Sequence, residues 1–196
     1  MTVVGNERHR LHLDIAEAGK VHALGHRHVE ALRHYREAIR LAVAAKAPEV
    51  FFRHYAQCAL ESLELMASYD EVIRFCEEAD QFHRQMTAGN PTQRRDHAAI
   101  LERLGLVRIK AGQPEAGIEA LRRAIALAGP GALPAAEDAL AWLDRRLAVT
   151  PERVLASQKR HRYFTVRADQ VDRSRARPLP ADIGTRSPGL GLAPTA

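Results

Sequence analysis

Aromatic side chains are scarce in this chain of 196 residues, at 5%, although apolar residues make up 46%. The apolar load therefore rests on Ala, Leu, Ile and Val, which suits closely packed helices better than strands. Only two cysteines occur, Cys58 and Cys76. Both fall inside helical apolar patterns, so they are expected as reduced core residues of a cytoplasmic protein, with no disulfide between them. No apolar run approaches the length needed to span a bilayer. The N-terminus also lacks the charged, apolar and small-residue order of an export signal. Phosphate loops, GxSxG, HExxH and paired-cysteine metal sites are missing too. An enzyme is not expected, and no cofactor is implied.

Charge is unevenly placed. The net charge is +5, yet residues 1–150 hold 20 Lys/Arg and 20 Asp/Glu. The excess belongs to residues 151–196, where nine basic residues face four acids. That asymmetry marks a boundary near Thr150-Pro151. It separates a helical domain over residues 8–149 from a tail over 150–196 that is basic, then Pro/Gly-rich, and expected to be largely disordered.

What the chain does have is a repeated pattern. Three stretches, Gly25 to Ala42, Ala67 to Phe82 and Ala111 to Ala128, each lead from a turn-like opening into small, large and small side chains. The sets are Ala31, Tyr35, Ala38; Val72, Cys76, Ala79; and Gly117, Leu121, Ala124. Spaced four and then three apart, each set lies on one helix face, and its small members let a neighbouring helix come close. The periodicity predicts helices over about Arg8 to Leu24, broken by Gly25, and His28 to Lys46. A third starts near Pro48 or Glu49, and a fourth is capped by Asp70. Beyond the break at Gly89-Asn90-Pro91, helices are predicted over Thr92 to Lys110, Glu115 to Leu127 and Pro134 to Leu147, the last as a cap.

These residues resemble tetratricopeptide repeat (TPR) proteins. Leu101, Leu104 and Gly105 stand where the family's first helix has its packing residues and small glycine. Gly112 sits at the family's turn, and Leu121 and Ala124 at packing positions of the second helix. Ile15, Ala18 and Gly19, followed by Ala31, Tyr35 and Ala38, play the same parts in the first unit. In the second unit Ala59 and Leu60 replace the large-then-glycine pair. The repeat intervals, 41 residues from Ala31 to Val72 and 45 from Val72 to Gly117, exceed the family's roughly 34. The resemblance implies an all-α, right-handed α-solenoid of about three helical hairpins, with a capping helix and a disordered C-terminal tail.

It also implies that the first helix of each hairpin lines a concave, partner-binding groove. By analogy the groove would present Lys20 and Leu24; then His54, Gln57, Glu61 and Glu64; then Glu102, Arg103, Ile109 and Lys110. The family's chaperone-tail binders clamp a terminal carboxylate with Lys, Arg and Asn. Glutamates occupy much of the corresponding surface here, which points to a partner segment of basic or mixed charge. A solvated polar face without a ligand is the alternative reading.

Six of the ten histidines fall between His9 and His34. His22 and His26 are four apart, a spacing that can bring two imidazoles to one metal, with His28 close by. Packing or surface roles are the competing reading, and the sequence completes no ligand set around them. In the tail, Ser157 to Arg167 mixes basic residues with aromatics. Arg160, Arg162, Tyr163, Phe164 and Arg167 are the candidate docking residues, suited to an acidic protein surface or, through phosphate contact and stacking, to nucleic acid. The expected function is that of a non-enzymatic cytoplasmic adaptor or dedicated chaperone that binds a partner segment. Its tail would dock a second surface or cover the groove when empty. A nucleic-acid-contacting regulator is the alternative, a homodimer is compatible with both, and Arg- and Ala-rich usage suggests a bacterial source.

Overall fold

A computed structural model of the chain describes residues 3–86 and 90–179, with side chains from Arg10 onward. The described residues are all-helical, without strands. Eight α-helices follow one another: α1 Val3–Leu24, α2 His28–Ala44, α3 Glu49–Leu65, α4 Tyr69–Gln85, α5 Pro91–Lys110, α6 Pro114–Ala128, α7 Pro134–Asp144 and α8 Pro151–Arg160. Two 3-10 turns, Ala168–Gln170 and Arg173–Arg175, come after them. None of these helices is long and apolar enough to cross a membrane.

The helix boundaries have local causes. Prolines open α5, α6, α7 and α8, where a missing N–H costs nothing. Asn90 and Gln93 form a reciprocal capping box at the start of α5, with bonds of 2.9 and 3.0 Å. At the other end, α1, α2, α5, α7 and α8 stop in one way. The residue two past the helix returns its N–H three residues back, and the next N–H returns five back, over 2.8–3.2 Å. This double bond needs a left-handed residue, usually glycine. Only Gly112, with φ 78°, meets that preference; His26, Lys46, Arg146 and Arg162 adopt φ of 49–58° in the other four turns. Ala67, at φ 59°, ends α3 in the same conformation.

Several expectations change on this account. Gly25 closes α1, but His26 takes the left-handed turn. The second helix stops at Ala44 because Lys46 has already turned, and α7 stops at Asp144 because Arg146 has. Asp70 is not the cap of α4. It lies inside the first helical turn, where a carboxylate favours the positive helix end, and Ser68 holds the cap position. The folded chain also continues past residue 149: Thr150 caps α8 through a 3.3 Å bond from the Arg153 N–H. So the start of the expected disordered tail is a helix, and α7 is not the final one. The disorder expected for residues 180–196, and the break at Gly89, lie outside the described residues.

The described residues divide into two compact units, one containing the chain up to Ala67 together with the segment from Thr165, the other running Ser68–Phe164. The division falls inside the expected second hairpin. In the first unit α1, α2 and α3 pack around Ile15, Ala16, Ala38, Ala42 and Tyr55. A Cβ added at Gly19 would lie 2.6 Å from the Tyr35 ring, so the two helices meet through that glycine. In the second unit Leu106, Ile109, Leu121, Ala135, Ala136, Ala139 and Val154 form the core. Here the approach is closer: a Cβ on Gly105 would meet Leu121 Cδ2 at 2.5 Å and the Gly117 carbonyl at 2.9 Å. Cys58 and Cys76 are buried free thiols.

Candidate functional site

In the first unit α1 offers Asp14 and Glu17 along one edge, and α3 offers Glu61. Glu61 is only 2% exposed. Its two carboxylate oxygens accept the main-chain N–H groups of Thr165 at 2.5 Å and Val166 at 3.0 Å. A buried carboxylate is stable when charged donors or N–H groups satisfy both oxygens. Further along, Glu17 accepts the Asp172 N–H at 2.5 Å and, through its other oxygen, the Lys20 ammonium at 3.0 Å. The Asp14 carbonyl accepts the Arg177 N–H at 3.0 Å, while its carboxylate accepts Arg175 at 3.2 Å. Leu179 then packs on the cluster of Ile15 and Tyr55.

The segment from Thr165 to Leu179 therefore lies along α1 and α3, held mainly through its backbone. Asp172 shapes it by accepting the Ser174 N–H at 3.0 Å and the Ser174 hydroxyl at 2.6 Å; these bonds, the side-chain one foremost, hold its carboxyl below the ordinary range. Arg10, Leu13, Asp14 and residues 174–178 enclose an open cleft of about 870 Å³. Beneath the segment, His12 Nδ1 and the Tyr55 hydroxyl share a buried 2.7 Å hydrogen bond. His54 reaches Cys58 Sγ at 3.9 Å. Burial, then the positive charge of Lys20, pushes its pKa below the usual histidine value.

The second unit treats the chain differently. Glu102 accepts the Ala136 N–H at 3.3 Å, at the start of α7. Arg103 lies over the Tyr163 ring, 5.1 Å from its centre, and Lys110 donates to Gln158 of α8 at 2.7 Å. Asp138 of α7 accepts Ser157 at 2.6 Å, Arg160 at 2.5 Å and His161 at 2.9 Å. Burial alone would raise its pKa, but those three hydrogen bonds hold it below the ordinary carboxylate value. Asp80 ties α4, α5 and α6 together. It binds Arg123 at 2.7 and 3.0 Å, His97 at 2.7 Å, and Arg84. Burial opposes its ionisation, yet those donors keep its pKa far below the usual value.

Of the residues expected in the groove, Glu61, Glu64, Glu102, Arg103, Ile109 and Lys110 are buried, and Lys20, Leu24, His54 and Gln57 are half-buried. They are not open to solvent as a groove lining would be, because the chain's own residues cover them: Thr165 and Val166 at Glu61, α7 at Glu102, α8 at Lys110 and Tyr163 at Arg103. Among the tail residues, Arg160 is paired with Asp138, and Arg162 is exposed at its left-handed turn. Tyr163 meets Phe164 edge-on at 5.1 Å, and Arg167 pairs with Asp169 at 3.6 Å.

The histidines are not assembled as the spacing suggested. His22 accepts Arg27 at 3.0 Å and lies 4.7 Å from the His34 ring, while His26 faces His28 at 6.2 Å. Among the described residues no group of three or more His, Cys, Asp or Glu could hold a metal. Asp14 and Glu17, by contrast, were not among the residues expected to line the groove. Their three-residue spacing on α1 was the available signal, and nothing in the tail sequence announced their donors.

No protein-family model matches this chain, and neither the curated proteins nor the solved structures contain a match to it.

Proposed function

We propose that this protein is a non-enzymatic, cytoplasmic interaction adaptor that binds an extended segment of another protein along the α1–α3 face. In this reading its TPR-like hairpins form a right-handed stack whose groove is filled in cis. The observation that carries the proposal is the pairing of Glu61 with two consecutive main-chain N–H groups. Glu17 and the Asp14 carbonyl take two more N–H groups further along. A face that binds main-chain donors draws affinity from extended peptide backbone, to which side-chain contacts add specificity. The packing of Tyr163 under Arg103 weighs against a stacking role with nucleic acid.

The test keeps the chain at full length. Val166→Pro removes an N–H that Glu61 accepts and leaves every helix intact. Immobilised, this variant should recover a partner from the native cell in greater yield than wild type. Adding Glu61→Ala should abolish that gain. Recovery that ignores both substitutions would sink the proposal.

A further inference from the structure

The residues on the α1–α3 face define what kind of partner segment fits there. We propose that it takes an extended, arginine-bearing peptide of another protein, for which Thr165–Leu179 is the built-in stand-in. This rests on the adaptor reading and specifies its partner.

The segment now in place shows the chemistry the face selects. At its start, two adjacent residues must both carry an N–H, because both oxygens of Glu61 are used; proline is excluded there. Seven residues past Thr165, Asp172 presents a third N–H to Glu17. Arg175 then meets the Asp14 carboxylate, and the Arg177 N–H meets the Asp14 carbonyl. Finally Leu179 enters the apolar nest of Ile15 and Tyr55. The order required is thus a proline-free start, an arginine ten positions on and a large aliphatic residue four positions after that.

Charge points the same way. The face contributes Asp14, Glu17 and Glu61 beside Lys20, and the segment carries Arg167, Arg173, Arg175 and Arg177 with only Asp169 and Asp172, Arg175 lying against Asp14. An acidic or phosphorylated peptide would place like charges beside Glu17 and Asp14, which disfavours it. Arg10, Arg175 and Arg177 also line the adjoining cleft. When the stand-in leaves, two of those three arginines leave with it, and the face becomes more acidic.

The test uses a fluorescein-labelled peptide with the sequence of residues 165–179 and follows its anisotropy as full-length protein is added. Val166→Pro protein should bind the probe about tenfold or more tightly than wild type does, since its own segment no longer competes. A probe carrying Arg175→Glu should bind that variant about tenfold more weakly. A second release variant, Arg175→Glu with Leu179→Asp in the full chain, loosens the segment from its other end and should behave as Val166→Pro does. Hydrogen exchange at residues 165–177 verifies release in both. Equal probe binding by wild type and released variants, or binding indifferent to the arginine, overturns the proposal. So does a released variant that excludes the probe while sedimenting as a dimer, which would assign the face to a second copy's segment. Probe binding without any cellular partner would instead refute the adaptor reading and with it an occupant from another protein, while the face's selectivity for arginine would stand. A cellular partner whose bound segment lacks arginine would refute only its specification.

Discussion

The stretch after residue 150 is held in two different ways within a few residues. Over α8, Val154, Ser157 and Gln158 are 0–2% exposed. They bind the second unit by apolar packing and by side-chain pairs with Asp138 and Lys110. From Thr165 to Leu179 no residue is buried, and the bonds to the first unit run mostly from main-chain N–H groups to carboxylates. The first kind of attachment depends on particular side chains and completes a core. The second depends on donors that every residue except proline carries, and another extended chain can supply them. One part of the tail is architecture, and the other is, in the proposed function, an exchangeable occupant.

Four comparisons would break or sharpen this contrast. The largest effect is expected from Val154→Asp, which places a carboxylate in the apolar cluster of the second unit and should cost about 3 kcal/mol or more. Val166→Pro should cost only about 1.4 kcal/mol, the docking free energy that a tenfold gain in probe binding implies. Similar losses for the two in urea titrations would erase the distinction.

Next come the helix pairs. Gly105→Ala should cost about 1–3 kcal/mol, and more than Gly19→Ala. The new methyl at Gly105 meets the backbone carbonyl of Gly117 at 2.9 Å, while the one at Gly19 meets only the Tyr35 and His34 side chains. Thermal melts of both variants give the comparison directly.

The units should also differ in their response to acid. His22, His28 and His54 of the first unit have pKa values lowered, foremost by burial; His83, similarly lowered, lies in the second. A lowered histidine stabilises the fold fully above its unfolded pKa of about 6.5 and loses that contribution as pH falls toward the folded value. For Asp80 and Asp138, also lowered, the loss begins only below about 4. Amide protection factors in α2, with the intrinsic pH dependence of exchange divided out, should therefore fall between about pH 6.5 and 5, before those in α7 do. Loss in α7 over the same window would show that His83 governs the acid response of the second unit as well.

The smallest effect concerns the helix ends. Lys46→Gly in the first unit and Arg146→Gly in the second should each stabilise by about 0.5–1 kcal/mol, by relieving a left-handed backbone. A rise in Tm of a few degrees, about 2–8 °C per kcal/mol, is the readout. No rise at Arg146 alone would show that its turn is held by more than backbone preference.

The helical part of this fold was readable because burial leaves a period in the sequence. Ala31, Tyr35 and Ala38 are all 0% exposed, as are Val72, Cys76, Leu121 and Ala124. Each spaced set does lie inward. In the second hairpin Ala59 stands where the resemblance would place a large residue before glycine, and the boundary between units falls inside that hairpin, after Ala67. Helix α8 was missed because its apolar content is small: Val154 alone enters the apolar cluster, and Ser157 and Gln158 are buried through polar bonds. The groove candidates were chosen on the right helices, but their cover could not be read. Main-chain N–H groups carry no residue signature, so no pattern in Thr165–Arg177 marks it as the occupant of Glu61 and Glu17.

The covalent join between Phe164 and Thr165 has a quantitative consequence. A tethered ligand competes at an effective concentration of about a millimolar for a short flexible linker. A partner present at about a micromolar must then bind the face about a thousandfold more tightly than the untethered segment would to displace half of it. In the proposed function the covalent tether thus sets an affinity threshold that weak or chance peptides fail, without any change to a residue of the face.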